Sequence, residues 1–139
     1  MVENWIIPCS VKFFDVVSYL TNNKEIVWRR VSAVKKNDNA YVYIGAPYGQ
    51  IKYLCRVIDD NVDENEVMLN QYAVKKGVSK KSRFMKLKLI HEYEGGVLSF
   101  AKLKENGLGQ VQIQARTDRR LQQYIDSINL KLGVTFDDC

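Results

Sequence analysis

Short segments in which apolar and polar residues alternate recur along the chain, and they limit the folds that it can adopt. Residues 51–58 place every second side chain on an apolar face, residues 85–90 repeat the pattern, and residues 110–115 set glutamines against apolar residues. Because successive side chains of a strand point to opposite faces, each segment predicts a short strand with one apolar and one wetter face. The apolar faces are Ile51, Tyr53, Cys55 and Val57; Met85, Leu87 and Leu89; and Val111, Ile113 and Ala115, the last opposite Gln110, Gln112 and Gln114.

Further strands are predicted between and before these segments. NWIIPC, residues 4–9, indicates a short buried strand that Pro8 ends, because proline has no N–H to donate to a central strand. EIVWRRVSA, residues 25–33, and the β-branched and aromatic residues 41–44 predict two more strands. The turn GAPYGQ then joins residues 41–44 to the next strand, which predicts a hairpin.

Three segments carry apolar residues at helical spacing. Residues 11–23 predict a first amphipathic helix, and a second begins near Ser99 and stops at Gly107. The third covers residues 117–133, with Thr117 or Asp118 as its N-cap. Its apolar stripe consists of Leu121, Tyr124, Ile125 and Ile128.

The order of these elements predicts a fold of the α+β class. Short, mostly consecutive strands favour a mixed or antiparallel, strongly curved sheet over a parallel βαβ layer. We therefore expect a small, open β-barrel with about three flanking helices. The 139 residues contain no repeat or low-complexity linker, and this length suits one core, so a single domain over residues 1–139 is expected.

Composition and motifs offer little material for several classes of function. No apolar run approaches the roughly 20 residues that span a bilayer, and MVENWIIPCS lacks the features of a secretory signal, so a cytoplasmic protein without a membrane partner is expected. Neither a disulfide framework nor a metal site is predicted, since the three cysteines form no C-x-x-C pair and the single histidine has no ligand cluster.

Motifs of catalysis and of cofactor binding are also missing from the sequence. It contains no G-x-S-x-G, no H-E-x-x-H and no Gly-rich phosphate loop, so we predict no catalytic residue and no cofactor. A nucleophilic arrangement of Cys9, His91 and an aspartate would require all three to meet in space, and nothing in the sequence indicates that they do. We assign no role to His91.

The net charge of +5 is distributed unevenly. Seven lysines and arginines and no acid lie between Lys75 and Lys88, whereas five acids and no base lie between Asp59 and Glu66. Two interpretations are open. The basic run is either a solvated loop, as charge runs usually are, or a rim that faces phosphates, since clustered cations release counterions from a polyanion.

The string Trp28-Arg29-Arg30 raises the sharpest question about function. Trp28 either faces the core, as tryptophans usually do, or forms the wall of a slot in which a nucleic-acid base stacks. Because side chains alternate, only one of the two arginines can share a side with the tryptophan. Trp5, in an almost wholly apolar string, is expected in the core.

Two further residue types are candidates for contact with nucleic acid. Tyr48 lies in the turn GAPYG, where an exposed ring could stack on a base. Gln112 and Gln114 could read the edges of bases or could form a polar outer face.

Several strings resemble the PUA-like superfamily and, within it, the EVE and YTH domains. NWIIPC, a helix and then VW look like the first strand, first helix and pocket tryptophan of those families. KKNDNAYVYIGAPYGQIKYLCRVID resembles their central hairpin, with Asn37 and Asp38 in place of the usual Gly and Asp. FMKLKLIHEYEGGVLSFAKLKENG and VQIQARTDRRLQQYI resemble the later strands and helices, so the resemblance spans nearly the whole chain.

The resemblance implies a pocket for a modified base. Trp28 would then be its aromatic wall, Cys9 and Ser10 would lie beside the base, and Arg116 would lie where related domains touch the nucleic-acid backbone. Leu89 stands where YTH domains have a second cage aromatic, which departs from a methyl-adenine cage and leaves a looser slot.

We therefore expect a non-catalytic module that binds DNA or RNA and recognises a modified or flipped base. Phosphate contacts would come from Arg29 or Arg30, from Arg116 and from part of the basic run. Two alternatives are a protein-interaction module whose slot is closed and an enzyme that acts on nucleotides. A separately encoded nuclease is a candidate partner.

Overall fold

The computed structural model describes residues 2–9, 16–30, 33–46, 48–62, 83–109 and 114–134. Strands and helices follow one another as the sequence predicts, so the α+β class is confirmed. The elements are β1 (Asn4–Cys9), α1 (Val16–Asn22), β2 (Glu25–Arg30), β3 (Asn39–Ile44), β4 (Gln50–Asp59), β5 (Arg83–Glu92), α2 (Phe100–Glu105), β6 (Ala115–Arg116) and α3 (Arg119–Leu132). No helix in these described ranges combines the length and the apolar character needed to cross a membrane.

The described strands form one mixed sheet in the order β2-β5-β4-β3-β1-β6. β1 runs parallel to β3, and the other four neighbouring pairs are antiparallel. The sheet curls until residues beside its two end strands meet, because the side chain of Gln114, next to β6, donates a hydrogen bond to the carbonyl of Arg29 on β2. The expected small curved barrel with three flanking helices is thus confirmed for the described residues.

β1 does not end at Pro8, which corrects one expectation. The strand continues through Pro8 to Cys9, and Pro8 is paired with Tyr43 of β3. On the other side of β1, the described residues of β6 pair only with Trp5 and Ile6. A proline is tolerated at such a position because its missing N–H is not required by a second neighbouring strand.

Apolar side chains cover both faces of the sheet. The inner cluster lies between the strands and α1, and the outer cluster lies between the opposite face and helices α2 and α3. Inner-cluster members include Trp5, Ile7, Cys9, Val16, Leu20, Ile26, Val42, Tyr53, Cys55, Val57, Met85 and Leu87. Outer-cluster members are Ile6, Tyr41, Ile51, Leu54, Tyr93, Leu98, Leu103, Leu121 and Ile125.

The expectation that β4 has one wet face was wrong. Leu54, on the face opposite Tyr53, is fully buried in the outer cluster. The predicted apolar row also breaks at a bulge, because Val42 pairs with Tyr53 while the next residue, Tyr43, pairs with Ile51. The extra residue, Lys52, moves Ile51 to the outer face, as a bulge does when two residues oppose one.

The helix ends are set by local hydrogen bonds that the sequence predicts. Ser99 caps α2 by accepting a bond from the backbone N–H of Lys102, and Asp118 caps α3 in the same way from Leu121. Gly133 ends α3 in the left-handed conformation (φ 69°), which glycine adopts without steric cost.

Candidate nucleic-acid interface

The two ends of the curled sheet meet at what we call the seam, which consists of Trp28, Arg29 and Arg30 on β2 and of Gln114, Ala115 and Arg116 at β6. The amide nitrogen Nε2 of Gln114 lies 2.7 Å from the carbonyl oxygen of Arg29. β2 and β6 are the outermost strands of the sheet order, so this bond joins residues that are far apart along the sheet. The seam brings together three of the predicted arginines and the predicted tryptophan.

Trp28 is half-buried and packs against the inner cluster, opposite Met85 of β5. Neither extreme of the sequence analysis is found: the ring is neither sealed in the core nor fully open. Its packing against the inner cluster helps to close the barrel, and part of the residue remains accessible to solvent. A half-buried ring held by packing has a fixed orientation, which favours stacking because little side-chain entropy is then lost on binding.

The two arginines of β2 have different environments, as their alternation predicts. Arg30 is half-buried, and its Nε donates to the carbonyl oxygen of Val34 at 2.7 Å. Arg29 is exposed. Arg29 is therefore the more accessible of the two, but it lies on the face of β2 opposite Trp28, whereas Arg30 shares the face of Trp28.

Cys9 and Ser10 were predicted beside the slot. Cys9 is buried in the inner cluster against which Trp28 packs, and its carbonyl oxygen accepts a bond from the N–H of Gly45 at 3.0 Å. The structure therefore brings Cys9 and Trp28 to one cluster. Ser10 lies outside the described residues, so the structure gives no position for it.

The alternation predicted at β6 is reversed. Gln114 is buried, with 6% of its surface exposed, whereas Ala115 is exposed. The reason is the bond to Arg29, which draws the glutamine inward and uses its amide N–H. Gln114 therefore holds the seam together, and that N–H is not free to read a base edge. Gln112 lies outside the described residues.

Arg116 lies over the indole of Trp5. Its guanidinium carbon is 5.0 Å from the centre of that ring, a cation–π contact, and its Nε is 3.7 Å from Oε2 of Glu3. More than half of the Arg116 side chain is exposed, so the charge remains accessible beside the seam. Trp5 itself is buried, as expected, and donates from Nε1 to Oδ2 of Asp38 at 2.9 Å.

Asp38, which the sequence analysis noted only through the resemblance, has a structural role. Its carboxylate also accepts bonds from the backbone N–H groups of Glu3 and Lys35, so it fixes the turn before β3 against β1. Asn37 precedes it with a φ of 77°, in the left-handed region that asparagine tolerates. A glycine at position 37, the residue usual in the resembled families, would adopt this conformation without steric cost.

The charged runs contribute cross-strand pairs where they are described. Lys86 is paired with Asp59 of β4, and Lys88 is paired with Glu25 of β2. Opposite charges at facing positions stabilise a sheet, which is a structural role. Most of the basic run from Lys75 to Lys88 lies outside the described residues, so its predicted role as a rim stays a prediction.

The remaining candidate residues are not members of the seam. Tyr48 is exposed in the turn between β3 and β4. His91 is on β5 with its ring edge-on to Tyr93, at 4.8 Å between ring centres, and β3 and β4 separate β5 from the strand that carries Cys9. Burial raises the pKa of the Cys55 thiol to about 12, which keeps it protonated. Within the described ranges, no three metal-ligating side chains gather.

Comparison with known proteins places the fold among small curved barrels. The chain matches no protein-family model and no curated protein. A solved protein from Leishmania major, described as hypothetical, shares 14% identity with a TM-score of 0.65 and covers 96% of this chain and 98% of its own. The ASCH protein from Zymomonas mobilis shares 11% identity with a TM-score of 0.61, covering 90% of this chain and 94% of its own.

A YTH domain is also similar. The Pho92 YTH domain, solved in complex with m6A, shares 10% identity with a TM-score of 0.50 and covers 99% of this chain and 87% of its own. Identities this low show the fold alone. The chain therefore has the PUA-like fold of ASCH and YTH domains.

Proposed function

We propose that this protein is a non-catalytic module that binds DNA or RNA and recognises a modified base at the seam, without a cofactor. The observation that carries the proposal is the position of Trp28: it is half-buried and held against the inner cluster, with Arg30 on the same face of its strand, the exposed Arg29 on the opposite face and the accessible Arg116 across the seam. An aromatic face beside cations is the combination that binds an unpaired base and its phosphates.

Each residue has a role in this proposal. Trp28 stacks on the base, and the end of β1 with Cys9 lies beside it; the role predicted for Ser10 stays a prediction. Arg29 and Arg116 meet the flanking phosphates, whereas Arg30 supports the rim through its bond to Val34. Gln114 positions the strand that carries Trp28 by holding the carbonyl of the adjacent Arg29.

The fold supports the choice of ligand. The similar YTH domain was solved with m6A, and the sequence resembles the EVE domains as well. Leu89, which stands in place of a second cage aromatic, is half-buried against the inner cluster. We therefore propose a looser slot than a methyl-adenine cage, filled by a modified base of another shape. Extruding a base costs a few kcal/mol, least in single strands, so an unpaired region is the preferred substrate.

The contact between Gln114 and Arg29 favours a second candidate, a protein-interaction module of the same fold. That bond closes the described part of the seam, and Trp28 packs inward. In this alternative the seam stays shut, and no base enters. The leading proposal also includes a separately encoded nuclease as a partner and a cytoplasmic location. An enzyme that acts on nucleotides is the weakest candidate, because Cys9 and His91, two members of the nucleophilic arrangement considered above, lie on separated strands.

A binding screen separates these candidates. Single-stranded oligonucleotides with and without modified bases are titrated at low and moderate salt into the wild type, Trp28→Ala and Trp28→Phe. We expect affinity to fall steeply with salt, and we expect Trp28→Ala to remove most of the preference for the modified base, about 1–3 kcal/mol, while Trp28→Phe retains part of it.

The control variant is Tyr124→Ala. Tyr124 is another half-buried aromatic residue, but it packs against the outer cluster, so its loss should leave base preference unchanged. Undetectable binding of every oligonucleotide at low salt would reject the proposal and favour the protein-interaction module.

A further inference from the structure

A second aromatic surface lies at the turn between β3 and β4. We call it the tip patch, and it consists of Tyr43, Tyr48, Lys52, Phe100 and Lys104. Tyr48 and Phe100 are the exposed aromatic side chains in the described part of the chain, with 42% and 40% of their surfaces accessible. An exposed phenylalanine at the first position of a helix contributes little to a core, so its placement calls for another explanation.

The backbone holds the two exposed rings in neighbouring positions. The N–H of Phe100 donates to the carbonyl of Gly49 at 2.9 Å, and Ser99 forms a β-bridge with Gln50. Phe100 therefore begins α2 directly beside the turn that carries Tyr48. Tyr43 supports it from β3, edge-on, with 6.3 Å between the ring centres.

Each exposed ring has a lysine ammonium close to it. Nζ of Lys52 is 5.9 Å from the centre of the Tyr48 ring, and Nζ of Lys104 is 5.9 Å from the centre of the Phe100 ring. Lys52, whose side chain is only 15% exposed, also lies 3.4 Å from Oε2 of the more exposed Glu92, whereas Lys104 is exposed. The tip patch thus alternates rings and cations.

We propose that the tip patch is a second stacking platform, which binds bases of a single-stranded nucleic acid next to the segment held at the seam. Rings stack on unpaired bases irrespective of sequence, and lysines meet the intervening phosphates. A duplex offers no open base faces, so the ligand is single-stranded. This inference rests on the proposed function, because it extends the same strand.

The path between the two surfaces follows β1. The N–H of Gly45, in the turn, donates to the carbonyl of Cys9 at the end of β1, and Cys9 belongs to the inner cluster against which Trp28 packs. The end of β1 thus connects the turn that carries the tip patch with the inner cluster against which Trp28 packs.

Nuclear magnetic resonance can test the two surfaces separately. An unmodified single-stranded oligonucleotide of about 12 nucleotides, comparable to the length that one small barrel binds, is titrated into the protein at low salt while backbone amide shifts are followed. We expect shifts at Gly45, Tyr48, Gly49 and Phe100 as well as at Trp28 and Arg29. Shifts at the seam alone would overturn the tip-patch inference, shifts at the tip alone would overturn the seam proposal, and shifts at neither would overturn both.

Variants of the tip patch measure how much each exposed ring contributes to the binding affinity. Tyr48→Ala and Phe100→Leu should each weaken binding of the long oligonucleotide at least about fivefold, since each removes one stacking face, and the double variant, which removes both, should weaken it further. Binding of the single modified nucleoside, which occupies only the seam, should not change. Leu130→Ala, which trims another exposed apolar side chain on α3, is the control and should have no effect on either ligand. Unchanged affinity in Tyr48→Ala, a turn residue whose loss leaves the core intact, would overturn the inference.

Discussion

The outer face of the sheet and the seam are closed in different ways. On the outer face, Asn129 of α3 is buried and accepts a hydrogen bond from the hydroxyl of Tyr93, while its Nδ2 donates to the hydroxyl of Tyr41 at 3.2 Å. At the seam, Gln114 donates to a backbone carbonyl, and both Arg29 and much of Arg116 remain exposed. One region satisfies its polar groups inside the protein, and the other leaves charges facing outward.

This difference separates stability from binding. A buried polar network that is fully paired fixes one arrangement of helix on sheet, and breaking it is costly. An interface needs accessible rings and charges, which contribute little to folding. We therefore expect substitutions on the outer face to lower stability most and substitutions at the seam to change binding most.

The largest effect is expected for Asn129→Ala. The change leaves the hydroxyls of Tyr93 and Tyr41 buried without this partner, at a cost of about 1–3 kcal/mol for each group, or about 2–6 kcal/mol of unfolding free energy. Urea denaturation measures the loss. Leu130→Ala, at the neighbouring and largely exposed position, should change stability by less than about 0.5 kcal/mol. Equal stability of the two variants would break the comparison.

The next effect is a loss of stability at alkaline pH. Burial raises the pKa of both Tyr93 and Tyr41 above the ordinary value of 10.0. Since the unfolded chain then loses these protons first, the stabilisation is complete below pH 10.0 and declines as pH rises above it, by about 1.4 kcal/mol per pH unit for each tyrosine.

Tyr93→Phe tests this origin. Urea denaturation between pH 9 and 11 should show a shallower decline in the variant, because the contribution of Tyr93 is lost, while Tyr43 and the buried thiol of Cys55, whose pKa values burial also raises, contribute equally to both proteins. An unchanged slope would show that Tyr93 does not titrate in the way that its buried position requires.

The smallest stability effect is expected at the seam, for Gln114→Ala. Loss of one hydrogen bond to a backbone carbonyl costs about 1 kcal/mol. The base preference should fall as well, because the strand that carries Trp28 and Arg29 is no longer held. Gln114→Ala and Asn129→Ala are measured side by side. If Gln114→Ala loses as much stability as Asn129→Ala, the proposed division of roles is contradicted.

The sequence predicts the strands and helices well, but it predicts less well which face of each strand is buried. Alternation and capping residues locate the strands and the ends of α2 and α3, because these signals depend on near neighbours alone. Two assignments of faces were wrong for physical reasons. The bulge at Lys52 interrupts the period of two, and a bulge has no reliable signature in a single sequence.

Long-range hydrogen bonds account for the other misses. Gln114 is drawn inward by a carbonyl 85 positions away along the chain, and Asn129 is buried by two tyrosine hydroxyls from other elements. From the sequence alone, a polar residue in a strand or helix is assigned to the solvent-facing side, because its hydrogen-bond partner is not known. The sequence therefore indicated the tryptophan and the arginines of the candidate site. It did not indicate the hydrogen bond between Gln114 and the carbonyl of Arg29 that forms the seam.

Fluorescence of Trp28 tests the central claim most directly. In a Trp5→Phe variant, Trp28 is the sole tryptophan, and acrylamide quenching reports its exposure. We predict partial quenching in the free protein, and we predict that a single-stranded oligonucleotide carrying the preferred modified base changes the emission and protects the ring from acrylamide. An oligonucleotide that binds but leaves both the emission and the quenching of Trp28 unchanged would contradict the proposal that this ring stacks on a base.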